Sequence, residues 1–174
     1  AGLTADLKRL YADWQNASGG EKQNLATSIA EKAEERQAVI EKFARENPES
    51  VAPLLSFGDS KLLDQFPAQA RPYLEQSGSL TGTVEVFHED GEKSDRQSTY
   101  RAYLRTATGA LFTLAISAAR MPSHGVTVTG TGSTIGSTFV PTGTFTTVSP
   151  APLNRTIGAQ KVIVILSKCP GDPQ

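Results

Sequence analysis

The stretch "SLTGTVEVFHED" (residues 79–90) decides the fold. Its apolar residues Leu80, Val84 and Val86 sit at even positions and so share one face of an extended strand, because successive strand side chains point to opposite sides. Such alternation does not fit a helical period. Gly82 adds a second signal: a glycine inside a long strand marks a bend or a close approach of backbone, as where one barrel strand serves two parts of a sheet.

Downstream the same grammar continues. The polar "GEKSDRQ" (91–97) reads as a loop. "TYRAYLRTA" (99–107) then puts Tyr100, Ala102 and Leu104 on one face and Arg101, Tyr103 and Arg105 on the other. After a Thr108-Gly109 turn, "TGALFTLAIS" points Phe112, Leu114 and Ile116 inward, and "HGVTVTGTGS" and "STFVPTGTFTTVSP" add shorter strands. "QKVIVILS" (160–167) is an apolar strand near the end; Val162 to Leu166 either close this sheet or open a neighbouring one. Short strands divided by Gly turns predict a small antiparallel barrel or a sandwich. The long first strand with its central glycine, a three-strand meander and a tight return favour an OB-like barrel, with a β-sandwich as the alternative.

Upstream of Ser77-Gly78 the composition changes. Residues 1–77 carry a formal −3 and residues 78–174 a formal +2, and sixteen of the eighteen threonines lie in the second part. Threonine's branched Cβ favours strands over helix interiors. Leu3, Leu7, Leu10, Tyr11 and Trp14 recur at helical spacing, with Thr4 as N-cap and Gly19-Gly20 as the stop. A longer helix follows over about 21–46, with Leu25, Ile29, Ala33, Ile40 and Phe43 as its apolar stripe and "EKAEER" as a solvated face. Asn47-Pro48 ends it, because proline disfavours helical geometry in the residue before it. Pro48, Lys61 to Phe66 and "PAQARPYLEQ" each suggest a short further turn. The expectation is an α+β chain: a small helical bundle over 1–77, then a β domain over 78–174.

Net charge of −1 argues against bulk attraction to nucleic acid or anionic lipid, and no apolar run reaches the roughly 20 residues of a membrane-spanning helix. A single cysteine, Cys169, allows no internal disulfide and is compatible with a reducing or an oxidising compartment. "AGLTADL" holds no basic segment followed by an apolar one; a mature end left by signal-peptide cleavage and a cloning boundary both account for it.

Motifs that carry chemistry are sparse. His88-Glu89 lacks the second histidine one helical turn on that a zinc-protease helix needs; position 92 is Glu92. Glu89, Asp90, Glu92 and Asp95 do not follow EF-hand spacing and read as a solvated acidic turn. His124 reads as a turn residue, and no strand-turn-helix elbow frames Ser123. "GTGSTIGST" (130–138) has the glycines of a phosphate-cradling loop, but β-branched and proline-broken sequence follows where a helix is required, so a Gly-rich hairpin is expected. Asn16 and Asn154 stand in glycosylation sequons, a common chance match. No catalytic, cofactor or metal constellation emerges. The positive feature is Arg101, Tyr103 and Arg105, three candidate ligand-binding residues in a row on one outward face, with Arg96 in the preceding loop. OB-folds bind by combining aromatic stacking with cationic contacts; an ordinary solvent face has the same alternation.

"LTGTVEVFHEDGEKSDRQSTYRAYLRTATGALFTLAI", "VTVTGTG" and "TIGAQKVIVILS" together resemble the segment ahead of the catalytic domain in secreted, gametolysin-like zinc metallopeptidases. In those chains a β domain precedes a "Gly-x-Gln-x-Val-x-Val-Ile-Leu" strand, matched here by Gly158, Gln160, Val162, Val164, Ile165 and Leu166. The chain has no His-Glu-x-x-His, so the metal site of such an enzyme is absent from this sequence. The resemblance implies a non-catalytic, secreted or cell-envelope pro-region or accessory module, bacterial in type, with its signal peptide removed. It would chaperone, inhibit or position a peptidase-like domain, with a protein partner or downstream domain expected. The alternative is an OB-like module for an oligosaccharide, single-stranded nucleic acid or a protein.

Overall fold

The expected alternation is carried over residues 79–89 by a single long strand. A computed structural model of the chain describes residues 2–89 and 99–151. Two helices come first, α1 (Gly2–Asn16) and α2 (Gly19–Glu46), followed by 3-10 turns at Pro48–Ser50 and Ala52–Leu54, a one-turn α3 (Ser60–Leu63) and a last 3-10 turn at Arg71–Tyr73. Six strands follow: β1 (Gln76–Glu89), β2 (Thr99–Arg105), β3 (Leu111–Leu114), β4 (Thr127–Ile135), β5 (Thr138–Pro141) and β6 (Thr146–Ser149). α2 ends at Glu46 as the Asn47-Pro48 signal requires. The loop at 91–97, the strand Val162 to Leu166, Cys169 and Asn154 lie outside the described residues.

The first five strands close into a barrel in the order β1-β2-β3-β5-β4, with β4 returning to β1 and β6 adding to the outer edge of β4. This is the OB-type barrel, not the sandwich. The sequence leads one to expect antiparallel pairing throughout, but β3 and β5 run parallel, pairing Thr113 with Thr138 and Leu114 with Phe139. The reason is parity. Directions cannot alternate all the way round a ring of five, so at least one pair must be parallel.

β1 closes the barrel by belonging to two pairings. Its first half, Gln76 to Thr83, pairs with β4, and its second half, Thr83 to Glu89, with β2. The changeover falls beside Gly82, where a Cβ would lie 2.5 Å from the Arg105 carbonyl oxygen. Along the β1–β4 seam, Ser77, Ser79, Thr81 and Thr83 face Ser133, Thr131, Thr129 and Thr127 directly. Each pair shares a hydroxyl hydrogen bond of 2.6–3.3 Å. Cross-strand hydroxyl pairs of this kind stabilise a sheet, which gives part of the threonine richness a role beyond strand propensity.

Three apolar clusters hold the structure. Leu7, Ile29, Ala33, Phe57, Phe66, Ala70 and Leu74 form the helical core. Val84, Ala102, Leu104, Leu114, Ile116, Val128 and Phe139 fill the barrel. Ile40 and Ala44 of α2 join Val51, Ala115, Ile135 and Val140 in the third, which fastens one part to the other. All four residues of β5 are buried, because the barrel interior covers one face and α2 packs toward the other. A parallel pair is found where both faces are covered. A polar latch reinforces the contact: Ser137, in the β4–β5 turn, donates its N–H (2.7 Å) and its hydroxyl (2.9 Å) to Glu41 Oε1.

Two helical expectations are corrected. Thr4 is not an N-cap, since α1 already starts at Gly2; its Oγ1 accepts a hydrogen bond from Arg36 Nε at 3.0 Å. "EKAEER" is not solvated throughout, because Arg36 is only 1% exposed and pairs with the equally buried Glu75.

Candidate functional site

β2 presents the three predicted residues as a row, because its register against β1 is unbroken. Opposite Arg101 stands Phe87, opposite Tyr103 stands Glu85, and opposite Arg105 stands Thr83. The alternation that buries Val84, Ala102 and Leu104 in the barrel turns all of these outward. The Phe87 and Tyr103 rings meet edge to face at 5.6 Å, and Phe87 is 51% exposed. Sequence reasoning passed over Phe87, although its odd position between Val86 and His88 already put it on the outer face.

Arg105 is not a free cation. Its Nε donates to Glu85 Oε1 at 2.5 Å and its Nη2 to Glu85 Oε2 at 3.0 Å, a two-pronged pair set diagonally across β1 and β2. The hydrogen bond from Arg105 is the main reason that the Glu85 carboxyl lies below the usual carboxylate range, and Glu85 in turn raises the Arg105 guanidinium. Because Glu85 is depressed in the folded protein, the benefit of the pair is present above the ordinary carboxylate value and disappears as pH falls through the lowered one. A carbon-detected NMR titration should give Glu85 a midpoint below that of an exposed glutamate. In Arg105→Gln the midpoint should rise; an unchanged midpoint would remove Arg105 as the cause.

Tyr100 departs from its expected inward role. It shares the face of Ala102 and Leu104, but it is 56% exposed at the far end of the strand, where its ring lies 4.7 Å from that of His88. His124 is more than a turn residue: its Nδ1 accepts the Val86 N–H at 3.0 Å, which ties the segment before β4 to β1. The glycine run at 130–138 is the β4–β5 hairpin, turning at Gly136 with φ of +53°, so no helix N-terminus stands there to hold a phosphate. Asn16 donates its side-chain amide to the Ala12 carbonyl at 2.8 Å. Among the described residues no three His, Cys, Asp or Glu side chains come together as a metal site, and no helix is long and apolar enough to cross a membrane.

The fold and this face together define a class: an OB-type barrel braced by a helical layer, with an aromatic and arginine surface on β1 and β2. No family model, no curated protein and no solved structure matches the chain.

Proposed function

We propose that the chain is a non-catalytic binding module in which the helical part braces the barrel and the outer β1–β2 face docks a protein partner. The observation that carries this is the exposed Phe87–Tyr103 pair, flanked by Arg101 and by the Arg105–Glu85 ion pair. Aromatic residues and arginine are enriched in protein interfaces, where a few such anchors supply most of the affinity. Polyanion binding instead draws on several cations that neutralise phosphates, and Glu85 already engages one of the three predicted side chains.

The resemblance to the segment ahead of gametolysin-like peptidases supports a peptidase-like domain as the partner, in a secreted or cell-envelope setting. The module would chaperone, inhibit or position that domain. Calorimetry with a gametolysin-like catalytic domain supplied as a separate chain tests this. Binding should weaken about thirtyfold or more in the double variant Phe87→Ala, Tyr103→Ala, since anchor residues are worth about 2 kcal/mol or more. Equal binding by wild type and double variant would displace the face from the assignment. The OB-type barrel supports a second reading, an oligosaccharide lying across the same strands. Glycan-array binding lost in that double variant, without peptidase binding, would move the function there.

A further inference from the structure

β6 ends the sheet: it pairs with β4, and no strand lies along its other side among the described residues. All four of its residues are exposed. Val148, which the irregular register leaves without an opposite residue on β4, is 60% exposed. A bare strand edge offers unpaired N–H and C=O groups to any extended chain, and proteins commonly block it with charge or cover it. β6 carries no charged side chain. Against it lies a groove of about 430 Å³. Its lining includes Thr147 of β6, the opposite residue Val128 on β4, Phe145, and Ala119, Arg120 and Pro122 from the segment before β4. Arg120 fixes that wall by donating from Nη2 to the Gly143 carbonyl at 2.8 Å. The methyl, ring and proline surfaces that remain suit an aliphatic side chain.

We propose that the free edge of β6 receives the chain's own segment Val162 to Leu166 as an added strand, with alternate side chains over the groove. Side chains on one face of such a strand point the same way as Thr147, which lines the groove. The segment is the longest uninterrupted apolar run in the sequence, and all but Leu166 are β-branched. That composition favours a strand and promotes aggregation when left uncovered. Residues 150–161 join it to the end of β6. Extended, they reach about 40 Å, against a strand spacing of about 5 Å, so the connection closes without strain. The shortness of β6 selects a tethered occupant. Four residues offer few main-chain hydrogen bonds, and a free peptide would have to offset the whole entropy of association with them. A strand on the same chain is already present at high effective concentration. Of the two fates the sequence leaves open for this segment, the edge favours extending this sheet over opening a neighbouring one. The inference is independent of the docking face on β1 and β2.

The single cysteine, Cys169, stands just past the segment and gives the test a handle. A nitroxide attached to it in the whole chain should broaden the amide signals of Phe145 and of Thr146 to Ser149, and leave those of α1 sharp. The same signals should stay sharp when spin-labelled chain without isotope is mixed with isotope-labelled chain without spin label. Val164→Pro removes a ladder donor from the middle of the segment. In that variant the amides of β6 should exchange with solvent about tenfold faster, while those of Val84 and Leu104 in the barrel core keep their wild-type rates. Broadening of β6 in the mixture would overturn the assignment in favour of a strand from a second copy. Broadening at Thr83 to Phe87 instead, or none at β6, would overturn it by placing the segment elsewhere. Exchange in β6 that ignores Val164→Pro would overturn it too.

Discussion

Glu75→Ala should cost about 3–5 kcal/mol of folding stability, read as a lower urea midpoint at unchanged slope. The carboxylate is fully buried and accepts from Arg36 Nη2 (2.5 Å), Arg36 Nη1 (3.0 Å) and the Ser56 N–H (3.0 Å). Arg36, itself 1% exposed, also donates to the Leu54 carbonyl at 2.8 Å and to Thr4 Oγ1, and its guanidinium lies 4.9 Å from the centre of the Phe57 ring. Removing Glu75 strands a cation where water cannot reach it, which is why the loss exceeds that of an exposed ion pair, worth about 1 kcal/mol at most. Arg36→Ala should be comparably severe for the opposite reason, a stranded carboxylate. The double variant should fall well short of the two losses added, since each single change removes the same interaction. Additive losses, or a Glu75→Ala cost below about 1 kcal/mol, would mean that the pair is not a buried unit.

That pair also marks where reading the sequence stops working. Helix and strand types were legible because they rest on local periodicity: Leu7 with Leu10 and Trp14, or Val84 with Val86, needs no knowledge of what lies opposite. Charge runs were read by the same local rule, and there the rule failed. Arg36 belongs to "EKAEER", yet the spacing Ile29, Ala33, Arg36, Ile40 puts it on the buried stripe of α2. The spacing was visible; its partner was not, because Glu75 is 39 residues away and only the tertiary fold brings it in. The candidate site behaves alike. Strand alternation placed Arg101, Tyr103 and Arg105 together on the outer face. Alternation along one strand says nothing about the neighbouring strand's register, so the capture of Arg105 by Glu85 and the edge-on contact of Tyr103 with Phe87 were not legible.

Gly82 is the position where a local signal and a tertiary constraint coincide, and Gly82→Ala should cost about 3 kcal/mol. The added methyl would sit 2.5 Å from the Arg105 carbonyl oxygen, 2.9 Å from its carbon and 2.9 Å from Leu104 Cγ. Two of those three atoms are backbone, so they cannot swing away as a side-chain tip would. Relief means moving β2 away from β1, or bending β1, at the point where β1 passes from β4 to β2. The cause is space, since Gly82 is not among the glycines at positive φ. Gly78 in the same strand is the control: a Cβ there meets nothing within 4 Å. Gly78→Ala should stay within about 1 kcal/mol of wild type, on the stabilising side if reduced freedom of the unfolded chain dominates. Equal melting temperatures for the two variants would show that closeness to Arg105 is not what requires glycine at 82. A loss confined to Gly82→Ala would place an intolerant backbone contact at the β1–β2 seam. The docking face begins one residue further along β1, at the Thr83 to Phe87 stretch.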